Sequence, residues 1–263
     1  MRFCFLAFII FATQSISTAL STVKLEEPGW NPFVKKRLIE IIEAKKGQKL
    51  PVVFDFDNTL VCRDIGEATF AVMIRDGLLT AENLPQGTTP ISVASGDLMA
   101  VYQTYLESSN HHVLDKAPYL NAYAWLVQIM AGLTPQQIVE KTSLAYQNGK
   151  AEHDMRHPES WTHIEKTPVP YFYPEMVELL GELLKADYDV WIISASNVWS
   201  VRWIVTQVLN KKLQERGVSN GIKPQQIIGI SALLHGPKEL LYKDPFLAIE
   251  NTQYANLSAA VLS

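Results

Sequence analysis

Two hydrophobic periods alternate along the chain. Short apolar runs rich in β-branched residues predict buried parallel strands at Leu50–Phe54, Tyr188–Ile193 and Gln226–Ile230. Around them, apolar residues recur every three or four positions and predict helices over 33–46, 173–185 and 198–216. Strands that alternate with helices predict an α/β fold with a doubly wound parallel sheet, whose ligands bind at the carboxyl ends of the strands.

Residues 64–165 have a different pattern. Helical periodicity covers Glu67–Arg75, Leu98–Leu106 and 119–130, and a threonine followed by a proline opens a further helix at Thr134. The block contains no convincing strand pattern. The sequence therefore predicts an all-helical module at 64–165, inserted after the first strand into an α/β core formed by residues 20–63 and 166–263.

The first residues predict export. Arg2 precedes an apolar run of about ten residues, and small residues at Ser17 and Ala19 fit a signal-peptidase site. The run is shorter than the ~20 residues that a spanning helix needs. We expect residues 1–19 to be a cleaved signal peptide, and the mature protein to be periplasmic or secreted without stable membrane insertion. An uncleaved N-terminal anchor is the alternative.

Composition narrows the class of protein. Of the 263 residues, 48% are hydrophobic and 19% charged, which is typical of a globular chain. The net charge of -4 argues against binding to nucleic acid, because such binding needs a basic surface. Loss of Cys4 with the signal peptide leaves Cys62 without a cysteine partner, so no internal disulfide is expected. The expected partner is a small molecule.

Candidate chemistry follows the first predicted strand. Asp55 and Asp57 lie two residues apart, where two like charges repel each other. A divalent cation removes this conflict, and Mg2+ prefers one or two carboxylates together with waters and phosphate oxygens. A carboxylate beside Mg2+ can attack phosphorus, while a second acid protonates the leaving oxygen. Asp55 and Asp57 are therefore the predicted Mg2+ ligands. The alternative is a plain strand end followed by an Asx turn.

The stretch Val52–Leu60, with the pattern hydrophobic strand, Asp, x, Asp, x, Thr, resembles the first motif of the haloacid dehalogenase superfamily of phosphohydrolases. Ser194 ends a later apolar strand and is similar to the second motif, whose hydroxyl binds the transferring phosphoryl group. The resemblance implies that Asp55 is the nucleophile, Asp57 the general acid and base, and Thr59 a residue that orients the Asp57 region. An ordinary helix N-cap is the alternative for Ser194.

Residues that follow the second motif also belong to the predicted site. Ser196 and Asn197 lie at the start of the next predicted helix, where backbone N–H groups can hold phosphate oxygens. The helical insertion resembles the caps of phosphoserine-phosphatase-like members, which close over the site and choose the substrate. Closure of such a cap excludes water from the phosphorylated intermediate.

Glu67 lies ten residues after Asp57. The resemblance implies that Glu67 faces the ammonium group of a substrate such as phosphocholine or phosphoserine. A helix N-terminal acid favoured by the helix dipole is the alternative. Aromatic faces can cage a quaternary ammonium, although rings in this number more often form a core. The aromatic residues concerned are Tyr102, Tyr105, Tyr119, Tyr123, Trp125 and Trp161.

The resemblance covers residues 50–230 and departs from the family pattern beyond them. The family has a further lysine and an acidic pair, often Gly-Asp-x-x-x-Asp, which completes the Mg2+ site. Here the later acids are Glu239, Asp244 and Glu250, without that spacing, and neither Lys238 nor Lys243 is convincingly placed.

We expect an exported Mg2+-dependent phosphatase that hydrolyses a small phosphomonoester through an aspartyl-phosphate. The alternative is a truncated, catalytically inactive ligand-binding protein, and truncation is the favoured explanation of the missing motifs.

Overall fold

A computed structural model describes residues 23–85, 97–110, 122–153, 170–231, 233–235 and 240–242. The predicted signal peptide and the late acids Glu239, Asp244 and Glu250 lie outside these ranges. Among the described residues, no helix is long and apolar enough to cross a bilayer.

Helices and strands alternate as the hydrophobic pattern predicts. The helices are α1 Pro32–Ala44, α2 Ile65–Arg75, α3 Leu98–Asn110, α4 Ala122–Gln128, α5 Pro135–His153, α6 Pro174–Lys185, α7 Val198–Ile204 and α8 Asn210–Glu215. The strands are β1 Pro51–Asp55, β2 Val61–Cys62, β3 Tyr171–Phe172, β4 Asp189–Asn197, β5 Ile227–Ile230, β6 Leu233–His235 and β7 Leu240–Tyr242. A π-helical stretch, Val205–Leu209, joins α7 to α8.

Three parallel strands form the main sheet in the order β1-β4-β5. This arrangement confirms the predicted α/β fold with a parallel sheet. The inward residues of β4 and β5, Val190, Ile192 and Ile227, are fully buried in a cluster shared with α1, α6, α7 and α8. The hydrophobic stretches predicted as strands are thus the centre of the core.

Strand β4 is longer than predicted. The apolar pattern ends at Ile193, but the extended backbone continues to Asn197. Ser194 and Ser196 are both buried, whereas Ala195 between them is exposed. The buried positions of this extension can be polar because both serine hydroxyls donate hydrogen bonds to Asp57. A hydrophobic pattern does not detect such positions.

The helical insertion has its own hydrophobic cluster. In the described residues between Ile65 and His153, the regular elements are helices only. Phe70, Tyr102 and Trp125 form the centre of the cluster, with ring centroids 5.9–6.4 Å apart. Tyr102 and Trp125 are both fully buried. For Tyr102 and Trp125, the alternative that the aromatic residues form a core therefore describes the structure.

Two features attach the insertion to the sheet. Strands β2 and β3 pair in antiparallel fashion where the chain leaves and re-enters the core. A chain of fully buried hydroxyls also joins α2, α5 and α7, from Thr69 to Thr142 (3.1 Å) and from Thr142 to Ser200 (2.8 Å). Two-residue strands carry no detectable period, so the β2–β3 pair was beyond prediction from the pattern.

Candidate active site

The carboxylate of Asp57 is held by groups from two elements that meet at the sheet edge. Its Oδ2 accepts hydrogen bonds from Ser194 Oγ (2.9 Å) and Ser196 Oγ (2.7 Å). Its Oδ1 accepts the backbone N–H of Ile65 (2.8 Å), at the start of α2. The side chain is therefore fixed between the end of β4 and the entry to the insertion.

Burial raises the pKa of Asp57 to about 7, with a further contribution from the negative charge of Asp64. The three hydrogen bonds from Ile65, Ser196 and Ser194 oppose this rise without cancelling it. A carboxyl group with a pKa near neutrality can both release and accept a proton at physiological pH.

Asp55 has the opposite surroundings. It is the last residue of β1, and its side chain is exposed. Thr59 Oγ1 donates to Asp55 Oδ2 (3.0 Å), so the threonine orients Asp55, whereas it was predicted to orient the Asp57 region. Asn58 makes this close approach possible, because its left-handed backbone (φ 55°) turns the chain back after the strand.

Ser194 lies toward the carboxyl end of β4, as predicted, whereas Ser196 and Asn197, predicted at the start of the next helix, are still part of β4. The polar groups of all three residues already have partners. Ser194 Oγ accepts the backbone N–H of Ser196 (3.0 Å) in addition to its bond with Asp57. Asn197 caps α7 by accepting the backbone N–H of Trp199 (2.9 Å). Its amide nitrogen lies 3.4 Å from the sulfur of Met130 in the insertion.

A third acid, Asp64, completes the group and was not predicted. It is 7% exposed and caps α2 by accepting the backbone N–H of Glu67 (2.9 Å). Ser196 Oγ lies 3.3 Å from its Oδ1, so one hydroxyl stands between Asp57 and Asp64. Burial is also the main cause that raises the pKa of Asp64. An aspartate before a helix is ordinarily a cap, so the sequence carried no signal that Asp64 also faces the site.

Glu67 lies at the same edge, half-buried on the first turn of α2. Tyr102 donates its hydroxyl to Glu67 Oε1 (3.2 Å). Burial and then the charge of Asp64 raise the pKa of Glu67, while the bond from Tyr102 lowers it. The insertion thus contributes a tyrosine hydroxyl to the acidic group.

Tyr123 of α4 also lies near the acids. Burial raises its pKa, as do the charges of four carboxylates, Asp64, Glu67, Asp57 and Asp55. The other predicted aromatic residues are placed differently. Tyr105 and Trp125 belong to the core of the insertion, and Tyr119 and Trp161 lie outside the described residues.

The donor set fits a magnesium ion only in part. Asp55 offers an exposed carboxylate at the strand end, and Mg2+ commonly binds through one or two carboxylates while keeping several waters. Both carboxylate oxygens of Asp57 already accept hydrogen bonds, which leaves its backbone carbonyl as the available ligand. In the described ranges, no three or more His, Cys, Asp or Glu side chains form a metal-binding group.

Comparisons with known proteins add information on the fold. No protein-family model matches the sequence, and a search of curated proteins gives no match. Among solved structures, the chain is similar to a conserved functionally unknown protein from Anaerococcus prevotii, with a TM-score of 0.51 and 14% identity over 87% of this chain and 76% of the other. This similarity supports the α/β fold.

A second solved structure is a phosphoserine phosphohydrolase-like protein from Francisella tularensis. The TM-score is 0.33, with 14% identity over 82% of this chain and 74% of the other. A TM-score of this size does not establish a common fold.

Proposed function

We propose that the protein is a phosphatase that hydrolyses a small phosphomonoester through an aspartyl-phosphate. One observation carries the proposal. Asp55 is an exposed carboxylate at a strand end, and two residues away Asp57 is a half-buried carboxyl group whose pKa is raised to about 7. Two carboxyl groups with such different surroundings suit two different roles, a nucleophile and a proton donor.

In this mechanism, a carboxylate oxygen of Asp55 attacks phosphorus, and the bond between phosphorus and the ester oxygen breaks. Asp57 gives its proton to the leaving oxygen, so the product leaves as an alcohol. Asp57 then accepts a proton from the water that attacks the acyl phosphate, which restores Asp55 and releases phosphate. When bound by the carboxylate of Asp55 and the carbonyl of Asp57, Mg2+ would offset negative charge on the phosphoryl oxygens.

Before it can bind phosphate, the hydroxyl of Ser194 has to turn. It now donates to Asp57, and rotation about its side chain would free it for a phosphoryl oxygen. Ser196 still holds Asp57 after that rotation. In this proposal, Ser194 binds the phosphoryl group while Ser196 keeps Asp57 in position.

Glu67 is the proposed partner for a positively charged group of the substrate. Its carboxylate lies with Asp64 and the hydroxyl of Tyr102 on the insertion side of the site. This concentration of negative charge favours an amine-bearing phosphoester such as phosphocholine or phosphoserine. We also propose, from residues 1–19, that the enzyme acts after export.

A second function is favoured by a different observation. In the part of the chain that the structure describes, no lysine or arginine forms an ion pair with Asp55, Asp57, Asp64 or Glu67. A phosphatase needs positive charge beside the transferring group. Without it, the same group of acidic side chains would bind a cationic ligand and leave phosphoesters intact.

Phosphate release decides between the two functions. The substrates are phosphocholine, phosphoserine and p-nitrophenyl phosphate, each with Mg2+ and with EDTA. We expect Mg2+-dependent release that Asp55→Asn abolishes. Asp187→Asn is the matched control, because Asp187 is exposed and its left-handed backbone (φ 64°) accepts asparagine well. Turnover that survives Asp55→Asn contradicts the mechanism, and choline binding without any release supports the binding protein.

A further inference from the structure

One side of helix α1 is exposed and combines apolar with basic residues. Phe33, Arg37, Ile41 and Lys45 follow one another at intervals of four residues, and Val34 lies three residues before Arg37. Residues at these intervals share one side of a helix. All five are exposed, and together they are called the outer face of α1. Phe33 is 79% exposed, more than any other large hydrophobic side chain among the described residues. A helix side that meets only water is ordinarily polar.

The opposite side of α1 keeps this outer face turned outward. Ile42 is 2% exposed, and Leu38 and Ile39 pack beside it against the hydrophobic core. The hydroxyl of Tyr188, which precedes β4, lies 3.2 Å from the carbonyl oxygens of both Ile41 and Ile42. Turning the outer face inward would break these contacts and expose the core side chains. The outer face is therefore a fixed part of the surface.

The charge around α1 is opposite in sign to that of the whole chain. Residues 32–49 contain six basic and two acidic side chains, whereas the chain as a whole has 23 basic and 27 acidic residues. Of the two acids, Glu43 accepts the backbone N–H of Val23 (3.3 Å) and so faces the start of the described chain. Glu40 pairs with Arg37 (3.1 Å), but both side chains are exposed, and such pairs contribute little. Arg37 can therefore exchange Glu40 for another anion.

We propose that the outer face of α1 docks on the surface of a membrane that contains anionic lipids. In this arrangement Phe33, Val34 and Ile41 enter the boundary between headgroups and acyl chains. Arg37 and Lys45 contact the lipid phosphates. Burial of apolar side chains and attraction to anionic headgroups act together on a helix that lies in the plane of the membrane. The outer face offers both on the same side of one helix.

A second copy of the chain fits the outer face less well. In a two-fold contact the same patch of surface meets itself, so the basic residues of one copy would face those of the other. Like charges across an interface oppose association. Anionic headgroups instead complement these charges, and the acyl chains below them accept the apolar side chains.

Sedimentation with lipid vesicles tests the proposal on the full 263-residue chain. The vesicles are phosphatidylcholine alone and phosphatidylcholine mixed with phosphatidylglycerol. We expect binding to the mixed vesicles, weakened by salt, and little binding to phosphatidylcholine alone. The double variant Phe33→Thr, Ile41→Thr should bind the mixed vesicles about 10-fold more weakly or worse. The control is Val53→Thr, Ile228→Thr, because Val53 and Ile228 are 55% and 46% exposed on the main sheet. That control should bind like the parent.

A position-specific measurement separates α1 from residues 1–22, which every variant contains. A fluorescent amino acid replaces Phe33 in one protein and Val53 in another, and the vesicles carry nitroxide quenchers on their acyl chains. We expect quenching at position 33 and none at position 53. Binding without quenching at position 33 overturns the proposal in favour of another part of the chain. Equal weakening in the two double variants, or equal binding to both vesicles, also overturns it. A folded parent that binds neither vesicle excludes a membrane and favours an acidic protein as the partner.

Discussion

At the scale of single residues, the raised pKa of Asp57 makes this residue costly for the stability of the fold. Its pKa in the folded protein is about 7, whereas an aspartate in an unfolded chain has a pKa of about 3.9. The folded state therefore binds more protons than the unfolded state between these two values. By linkage, the free energy of unfolding falls as the pH rises through this interval. The half-buried Asp57 therefore lowers the stability of the folded protein at neutral pH.

Asp57→Asn removes this cost and keeps the shape of the side chain. We expect the variant to be more stable than the parent at pH 8, by on the order of 1–4 kcal/mol, and nearly equal to it at pH 4. Denaturant unfolding in EDTA at both pH values measures the difference. Asp55→Asn is the control, because Asp55 is exposed and its replacement relieves no burial. A loss of stability in Asp57→Asn at pH 8 contradicts the account.

Gly66 permits the contact between Ser196 and the acids. A Cβ at this position would lie 2.9 Å from Ser196 Oγ and 3.1 Å from Asp64 Oδ1, so the serine would have to move. Alanine otherwise favours a helix. We expect Gly66→Ala to lower kcat about 10-fold or more, because Ser196 no longer orients Asp57, while thermal stability changes little. Steady-state kinetics and thermal unfolding separate the two effects. Unchanged kcat would show that Ser196 does not position Asp57.

At the scale of elements, the junction of β4, β5 and α7 has no spare room. A Cβ on Gly229 would lie 2.8 Å from Val198 Cα and 2.9 Å from the carbonyl oxygen of Ser196, and backbone atoms cannot turn aside. We expect Gly229→Ala to destabilise the protein by about 1–3 kcal/mol.

The control is Gly181→Ala, inside α6, where the new methyl group would lie 3.6 Å and 3.8 Å from its nearest neighbours. That control should be neutral or stabilising by about 0.5–1 kcal/mol. Denaturant unfolding compares the two, and equal effects contradict the packing argument.

Elements with a strong period could be predicted from the sequence, and those set by distant partners could not. The predicted helix over 33–46 is α1, Pro32–Ala44, and the predicted strand at Gln226–Ile230 is β5, Ile227–Ile230. In contrast, the end of β4 is set by the hydrogen bonds that Ser194 and Ser196 make with Asp57, 137 and 139 residues away in sequence. Local pattern carries no information about such contacts.

The same limit applies to the site. Asp55 and Asp57 were predicted because they follow an apolar stretch, and ligands bind at the carboxyl ends of parallel strands. Ser194 was predicted because its place after a later strand resembles the second family motif. Asp64 was missed because its position before a helix has an ordinary explanation as a cap. Its second role depends on Ser196, which the fold brings to 3.3 Å. Residue type and spacing identify polar groups at strand ends. Only the folded structure shows which helix-capping residue also lies beside those groups.

At the scale of the whole molecule, residues Val23–Trp30 fasten the start of the described chain to the helical layer. They form no helix or strand. Their backbone groups nevertheless have partners on α6. Glu178 accepts the N–H groups of Glu26 (2.7 Å) and Glu27 (3.1 Å) and the indole N–H of Trp30 (2.8 Å). One buried carboxylate thereby replaces the hydrogen bonds that a strand or helix would have supplied.

Glu178→Gln tests how much this fastening contributes. Burial acts to raise the pKa of Glu178, but the donors from Glu26, Trp30 and Glu27, together with the charge of Arg216, outweigh it and hold the pKa below its usual value. The stabilisation is therefore fully present above about pH 4.3, the usual pKa of a glutamate, and is lost as the pH falls through the lower folded pKa. At pH 7 we expect Glu178→Gln to lower the free energy of unfolding by about 1–3 kcal/mol, and at pH 3 the difference between the two proteins should be smaller. The exposed Glu215→Gln on α8 is the control in denaturant unfolding at both pH values, with no change expected. A difference that persists undiminished at pH 3 would place the effect in packing rather than in the charge of Glu178.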